Sequence, residues 1–466
     1  MSFNTYKNIK NEINKYNNFI LTTCVDSIPA ATESVYINDG FDLYCYLHSD
    51  SRNVKQLEYN SRVEAVIYSG GNAHQQGLLV EGKAYIINDY DDEKQIRDKF
   101  LEKFRSMRAF IKSEDSTLVK IRPLEIKRIY NKKLADDQVL KFRENTKSAL
   151  GNIFGAIGRW FKKWISAARL SFLSTTLGAL LIGISAAIFA NDAQVFNNWE
   201  YIIWACLGAF MAHASTNLFN DYYDHKNGND SINSRPTSFS GGSRMIQSGI
   251  LSAEKVLSAA WIFFLGALAI GLYLNFNIED NWLLLIGGIG LLLVYFYSAP
   301  PLKLIDRGLG EIAVGLSFGP LIVLGIFYVM TEELAWLPLI VSVPPGLLVF
   351  LIIFINEFQD EQYDRESGKR NLVVRIEDKL KAIRVYNYLM IVPYLWIIGF
   401  VLGGFLPYYA LIVLLLVPLS WKAVSNAVEN YDRVYELLQT NGFTVAIHLL
   451  FSVLLSIGLL VKSLIN

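Results

Sequence analysis

Two hydrophobic rhythms divide this chain. Up to about residue 135 the apolar positions come in short runs rich in β-branched and aromatic side chains: FILTTCV, SVYI, DLYCYL, RVEAVIY, GLLVEGKAYII and LVKIRPLEIKRIY. The stretches VDSIPA, INDGFD and YSGGN between them carry turn-forming residues, so the pattern predicts strands of an antiparallel barrel. Two helical patterns, SRNVKQLEYN and DEKQIRDKFLEKFRSMRAFI, interrupt the strands, as in a compact mainly-β or α+β barrel. From Phe172 onward the rhythm changes to long apolar segments, near 172–190, 201–219, 257–275, 283–298, 312–330, 336–355, 386–405, 407–425 and 443–461. Most approach the roughly 20 apolar residues that cross a bilayer core. The fourth is short and the eighth carries Pro418. The expected fold is an all-α polytopic membrane domain of about nine transmembrane helices, preceded by a small soluble β-barrel domain. Its boundaries are 1–135 for the barrel, 136–168 for a linker and 169–466 for the membrane domain.

The linker ends in ALGNIFGAIGRWFKKWISAARLSF. Ile153, Phe154, Ile157, Trp160, Phe161, Trp164 and Ile165 recur there at helical spacing, flanked by Arg159, Lys162, Lys163 and Arg169. Such a helix suits the membrane surface, or packing on the soluble domain. Lys and Arg gather in alternate loops: Lys226, Arg235, Arg244 and Lys255 after the second span, Lys303 and Arg307 after the fourth, seven between Arg365 and Arg384 after the sixth. Lys422 and Arg433 follow the eighth, whereas the loops near 191–200, 276–282, 331–335 and 404–408 hold no Lys or Arg. The positive-inside tendency makes this a multi-pass protein of the cell membrane. The N-terminal domain and the even loops face the cytoplasm and the C-terminus lies outside. Lys plus Arg (43) balances Asp plus Glu (43), which argues against a nucleic-acid partner. Cys24, Cys45 and Cys206 fit no metal or redox spacing, and the polar N-terminus lacks the apolar stretch of a signal peptide.

The chemistry gathers at the cationic side. The second span ends in ASTNLFNDYYDHKNGND, where Asn217, Asn220, Asp221 and Asp224 share one helical face and Asp230 follows a turn at Asn227-Gly228. The sixth ends in FINEFQDEQYDRESGKRNLVVR, with Asn356, Asp360 and Asp364 four apart. Ionised groups at a membrane helix end are costly unless they meet water, a partner or a cation. Two such clusters on separate helices can share divalent ions, and magnesium combines one or two carboxylates with a substrate's phosphate oxygens. Arg244, Lys303, Lys369 and Arg370 could hold further phosphate oxygens. The set suits an amphiphilic diphosphate whose tail lies among the spans. Tyr297, Lys303 and Arg307 also read as interfacial anchors. His213 and His448, inside apolar spans without a partner pattern, read as packing residues.

NDYYDHKNGND and DEQYD, each preceded by an Asn on the same face, resemble the two Asp-rich motifs of UbiA-type prenyltransferases, a likeness covering roughly residues 160–466. The displaced last acid of the first motif, SRMIQSG after it, YSAPPLKL leading into RGLGE, and DRESGKRNLVVR look most like the 1,4-dihydroxy-2-naphthoate polyprenyltransferases of menaquinone synthesis. Arg169-Leu170 stands where that family usually has Arg-Pro, and the loop SINSRPTSFSGGS is longer than expected. The resemblance implies transfer of a prenyl group from a polyprenyl diphosphate to an aromatic acceptor within a lipid bilayer. Magnesium would be held by Asn220, Asp224, Asp360 and Asp364, with Asp221, Asp230 and Asn356 beside them. Asn217, Arg244, Lys303, Lys369 and Arg370 would bind diphosphate, Tyr297 would line the site, and Asp224, Asp360, Asp364, Lys303 and Tyr297 form the implied catalytic set. Homogentisate, 4-hydroxybenzoate and a lipid alcohol remain alternative acceptors. A secondary transporter with a cytoplasmic sensor domain is the alternative from another class, although transport acids are expected at the bilayer midplane.

The run YLHSDSRNVKQLEYNSRVEAVIY is similar to a stretch of the pyridoxamine-phosphate-oxidase-like split barrels. That likeness implies FMN contacted by Ser51, Arg52 and Lys55; haem, a deazaflavin or no cofactor are the other possibilities within such barrels, and Arg52 and Lys55 also read as a solvated helix face.

Overall fold

The computed structural model describes residues 3–68, 76–87, 90–130, 133–142, 149–169, 172–191, 199–232, 237, 239–278 and 280–465; Leu170, Arg235 and most of the loop near 191–200 lie outside them. The chain forms two compact units, one of residues 1–164 with 245–252, the other of 165–244 with 253–466.

In the first unit eight antiparallel strands build one sheet. They are β1 (Asn18–Val25), β2 (Ile28–Val35), β3 (Ile37–Asp39), β4 (Asp42–His48), β5 (Arg62–Tyr68), β6 (Gln76–Ile86), β7 (Ser116–Tyr130) and β8 (Lys133–Lys141). Their order is β2-β1-β5-β6-β7-β4-β3, with β8 on β7. Alternation sets the inner face: Phe19, Leu21, Thr23 and Val25 of β1 are buried, while Ile20 between them is exposed. The turn expected over VDSIPA shrinks to Asp26-Ser27, because both residues adopt positive φ (54° and 65°) and Val25 pairs directly with Ile28. At the bulge between Glu81 and Gly82 the strands approach so closely that a Cβ on Gly82 would sit 2.5 Å from the Arg122 carbonyl oxygen. Of the two helical patterns the first forms α2 (Arg52–Leu57), whereas the second forms α3 (Tyr90–Lys103) and breaks at Phe104 before a short helical turn, Arg108–Ile111. An unforeseen α1 (Phe3–Lys15) buries Ile9 and Ile13, and the Tyr36 hydroxyl donates to the Ile13 carbonyl at 2.7 Å.

Among the described residues of the second unit, eight helices are long and apolar enough to cross a membrane: Leu173–Asn191, Trp199–Asn227, Ala253–Asn277, Gly310–Thr331, Trp336–Ser367, Lys379–Leu402, Tyr408–Asn430 and Val434–Lys462. The short fourth segment becomes an apolar helix of 15 residues, Trp282–Phe296, too brief to count among them. Ordinals below include it, so the two acidic motifs end the second and sixth apolar helices. Inside lipid, packing rather than expulsion of water joins helices, and glycine lets backbones touch. A Cβ on Gly346 of the sixth helix would lie 2.6 Å from the Gly315 carbonyl oxygen of the fifth and 3.1 Å from the Gly319 Cα. That crossing sits beside a π-helical turn, Ser317–Leu321, which contains Pro320. Phe354, Phe358, Tyr386 and Phe451 fill the adjoining core. The amphipathic helix Ala149–Ala167 leaves Ile157, Trp160, Phe161 and Ile165 exposed, while Lys162 pairs with Glu58 of the barrel at 2.9 Å.

Candidate active site

The 29-residue second helix carries its first motif in the last turns, where Asn220, Asp221 and Asp224 are buried. Asn220 Nδ2 donates to Asp224 Oδ2 at 3.0 Å and to Ser298 Oγ at 3.3 Å, so the i, i+4 spacing becomes a direct contact. Gly228, at φ 83°, turns the chain and returns Asp230 to a buried position. On the sixth helix Asp360 Oδ2 accepts the Gly241 amide at 3.0 Å, and Asp364 accepts Asn371 Nδ2 at 2.8 Å. Gly368 ends that helix at φ 86°, and the Lys369 amide returns to the Asp364 carbonyl at 2.8 Å. This reversal brings Lys369 Nζ to 3.6 Å from Asp364 Oδ1.

These residues converge. A cavity of about 110 Å³ is lined by Asn220, Asp224 and Asp230 from one side of the sequence, and by Asn356, Asp360, Asp364 and Lys369 from the other. Tyr297 and Arg169 also line it. Tyr297 also borders a second cavity of about 240 Å³, walled chiefly by apolar side chains and glycines of the second to fifth helices. A charged chamber and a greasy one therefore share a tyrosine.

The electrostatics are those of a site built for a partner. Burial pushes the Asp230 carboxyl up to about 8, reinforced by the nearby Asp224 and Asp221 and opposed by Arg169 and Arg244. Lys369 meets a strong desolvation penalty, yet the Asp364 and Asp224 carboxylates overcome it and hold the ammonium well above the ordinary lysine value. Among the described residues no three carboxylate, histidine or cysteine groups close on one point as a ready metal cage. Magnesium does not require one, since it takes one or two carboxylates and completes its shell with phosphate oxygens and water. The Asn220–Asp224 pair and the Asp360–Asp364 pair, lining one cavity, fit that demand.

A family description matches residues 170–436, more than half of the chain: the UbiA prenyltransferase family. The chain belongs to the UbiA prenyltransferase family. It is a multi-pass prenyltransferase, which removes the transporter alternative. Among its relatives is the 1,4-dihydroxy-2-naphthoate octaprenyltransferase of Bacillus subtilis, 29% identical over 62% of this chain and 89% of that one. The 2-carboxy-1,4-naphthoquinone phytyltransferase of Synechocystis is 24% identical over 64% of this chain and 92% of its own. General Stress Protein 26 of Bacillus anthracis matches 29% of this chain and 98% of its own at 20% identity, with a TM-score of 0.24.

Several side chains of this UbiA family member lie elsewhere than its motifs suggest. Asn217 donates to the Ala168 carbonyl at 2.9 Å and is not among the residues lining the charged cavity. Asp221 is occupied by Arg169 Nη2 at 2.8 Å and by the amide of Ser243 at 3.2 Å, with the Ser243 hydroxyl also donating to it. It braces the loop after the first motif. Lys303 reaches Asn227 Oδ1 at 3.1 Å and Asp306 at 3.9 Å, while Arg370 is exposed; neither lines the cavity. Arg244 does not line it either, but its Nη1 donates to the Asp230 carbonyl. His213 Nδ1 lies 2.6 Å from Thr176 Oγ1 and the ring faces the apolar cavity, whereas His448 is wholly buried.

Two charged lining residues stand outside the set expected from sequence: Arg169, read only as a flanking cation, and Glu357, whose carboxyl contacts that of Glu311. An acid one residue after Asn356 within an apolar helix was the available signal. In the barrel, Ser51 caps α2 by accepting the Val54 amide, Lys55 pairs with Asp50 at 3.2 Å, and the Arg52 guanidinium packs over Gly249, where a Cβ would lie 2.4 Å from its Nη2.

Proposed function

We propose that this enzyme transfers a polyprenyl group from a polyprenyl diphosphate to a naphthoate-type aromatic carbon, with 1,4-dihydroxy-2-naphthoate of menaquinone synthesis as acceptor. The observation that carries the reading is the shared wall: Tyr297 borders both the cavity of the two acidic motifs and the apolar cavity. A diphosphate head fits the first and its hydrocarbon the second. Asn220, Asp224, Asp360 and Asp364 would hold magnesium, which neutralises charge developing on the departing diphosphate. Lys369, buried and cationic, adds a fixed donor to the same oxygens. The allylic C–O bond breaks, the electron-rich ring carbon attacks, and the ring loses its carboxylate as carbon dioxide. Apolar walls keep water from the cation before the ring reaches it. The names of the naphthoate-prenylating relatives support the acceptor class, and the cationic loops support a cytoplasmic placement of both motifs.

The test is product analysis. Detergent-purified protein is given polyprenyl diphosphates of graded length, magnesium or EDTA, and in turn 1,4-dihydroxy-2-naphthoate, homogentisate, 4-hydroxybenzoate and a lipid alcohol. Mass spectrometry should find a prenylated, decarboxylated naphthoquinol with the first acceptor and none after chelation. Preference for another acceptor overturns the naphthoate assignment, and undiminished turnover in EDTA overturns the metal.

A further inference from the structure

His213 precedes Asn220 by two helical turns on the second helix, so the two side chains share a face and lie about 10 Å apart along the axis. It is 7% exposed and lines the apolar cavity. Its Nδ1 meets Thr176 Oγ1 of the first helix at 2.6 Å, and its ring stands edge-on to Phe318 of the fifth, centroids 4.9 Å apart. The Thr176 hydroxyl is wholly buried and has no other hydrogen-bond partner among the described residues. A hydroxyl hydrogen left unspent in an apolar wall is costly, so Thr176 donates to Nδ1. That assigns the tautomer: the ring's own hydrogen sits on Nε2, where it is a donor. The Nε2–H makes no hydrogen bond among the described residues.

A second donor lines the same cavity. Ser317 opens the π-helical turn beside Phe318, and its hydroxyl also lacks a hydrogen-bond partner among the described residues. Single π turns recur at functional sites, where the extra residue re-aims side chains. Thr216, which lines the cavity too, is already spent on the Ala212 carbonyl at 3.0 Å. A hydrocarbon tail has no use for two donors. An aromatic acid has: its ring suits the apolar wall and the edge of Phe318, and its carboxylate takes the stronger, charge-assisted hydrogen bonds.

We infer that His213 determines acceptor specificity: its Nε2–H, with the Ser317 hydroxyl, receives the carboxylate of the aromatic acceptor. Thr176 is a positioning residue that keeps the hydrogen on Nε2. The acceptor ring then extends along the helix face from His213 toward Asn220 and the carbon released by the diphosphate. The inference rests on the reading of this enzyme as a naphthoate prenyltransferase. The experiment uses the full-length protein in detergent, without metal or prenyl diphosphate. Fluorescence titration under anaerobic conditions compares 1,4-dihydroxy-2-naphthoate with 1,4-dihydroxynaphthalene, the same ring without its carboxylate. His213→Phe should weaken binding of the naphthoate about tenfold, the scale of one hydrogen bond to a charged group, and binding of dihydroxynaphthalene less than about twofold. His213→Gln, which keeps an N–H, should recover most of the loss. Thr176→Val and Ser317→Ala should each weaken the naphthoate about threefold and spare the other ring. In turnover, His213→Phe should raise the KM for the naphthoate and leave that for prenyl diphosphate within about twofold. Equal loss for both rings overturns the inference, because a merely structural histidine would affect them alike; so does a raised KM for prenyl diphosphate with that for the naphthoate unmoved. If His213→Phe does not fold, the absence of a carboxylate-dependent loss in both Thr176→Val and Ser317→Ala overturns it. Wild-type protein that yields no prenylated naphthoquinol refutes the parent reading, while the binding difference between the two rings still judges His213.

Discussion

Replacing Arg169 by methionine removes the cation from a buried ion pair and leaves its partner behind. Asp221 is almost wholly enclosed, its side chain 4% exposed, and Arg169 is its ion-pair partner among the described residues, at 2.8 Å. Removing one member of a buried pair typically costs about 3–5 kcal/mol, because the other keeps its charge without compensation. Asp221 retains two donors from Ser243, so the lower end applies, about 3 kcal/mol. Arg169 is also one of the two cations that hold down the Asp230 carboxyl, which should therefore rise further in the variant. By the usual scaling for a domain of this kind, the thermal midpoint in detergent should fall by roughly 6–12 °C. The double variant Arg169→Met with Asp221→Asn carries no stranded charge, and should regain at least about 2 kcal/mol of the loss. Midpoints of the two single variants, the double and the wild type close the cycle. A single-variant loss under about 1 kcal/mol, or a double variant no more stable than Arg169→Met, would refute the reasoning.

Other outcomes follow from the same geometry. Asp224→Ala or Asp360→Ala should lower kcat by at least about 100-fold, the scale of losing one charge-stabilising group, with the folded membrane domain retained in size-exclusion profiles; near wild-type turnover would remove them from the metal set. Lys369→Met should raise the KM for prenyl diphosphate more than about tenfold, as expected for a desolvated charged donor, whereas Arg370→Met stays within twofold because that side chain is exposed. Cys45, enclosed in the barrel with its thiol pushed up to about 12 by burial, should resist alkylation of the native protein at pH 8, where only about one thiol in ten thousand is ionised, and react on denaturation. Rapid native labelling of Cys45 would contradict the barrel core.

The parts of this fold legible in sequence are those under the strongest physical constraint. Helices in lipid must be long and apolar, and acids at their ends must have a reason, so the segments and both motifs stand out. Helical spacing, however, fixes a face and not a partner. Nothing in NDYYD distinguishes Asp224, which lines the cavity, from Asp221, which an arginine 52 positions earlier occupies. Lys369 and Arg370 are adjacent and alike in charge; the glycine-terminated reversal at 368 turns one inward. The helix α1 was hidden because the segment is largely polar and, among its described residues, Ile9 and Ile13 are the buried apolar ones. The strand β8 starts inside the expected barrel and runs on to Lys141, beyond the point where its alternation remains readable.

The meeting of Gly346 with Gly315 and Gly319 bears on how the site opens. With backbone against backbone there is no cushion of side chains to deform, so the sixth helix cannot roll or slide on the fifth without collision. The acids of the second motif are carried on a helix that packs backbone to backbone against its neighbour. Across the apolar chamber, added Cβ atoms at Gly271, Gly287, Gly288 and Gly290 would touch nothing within 4 Å. The room for a long hydrocarbon thus lies along the glycine faces of the third and fourth helices, away from the tightly seated helix that bears the second motif.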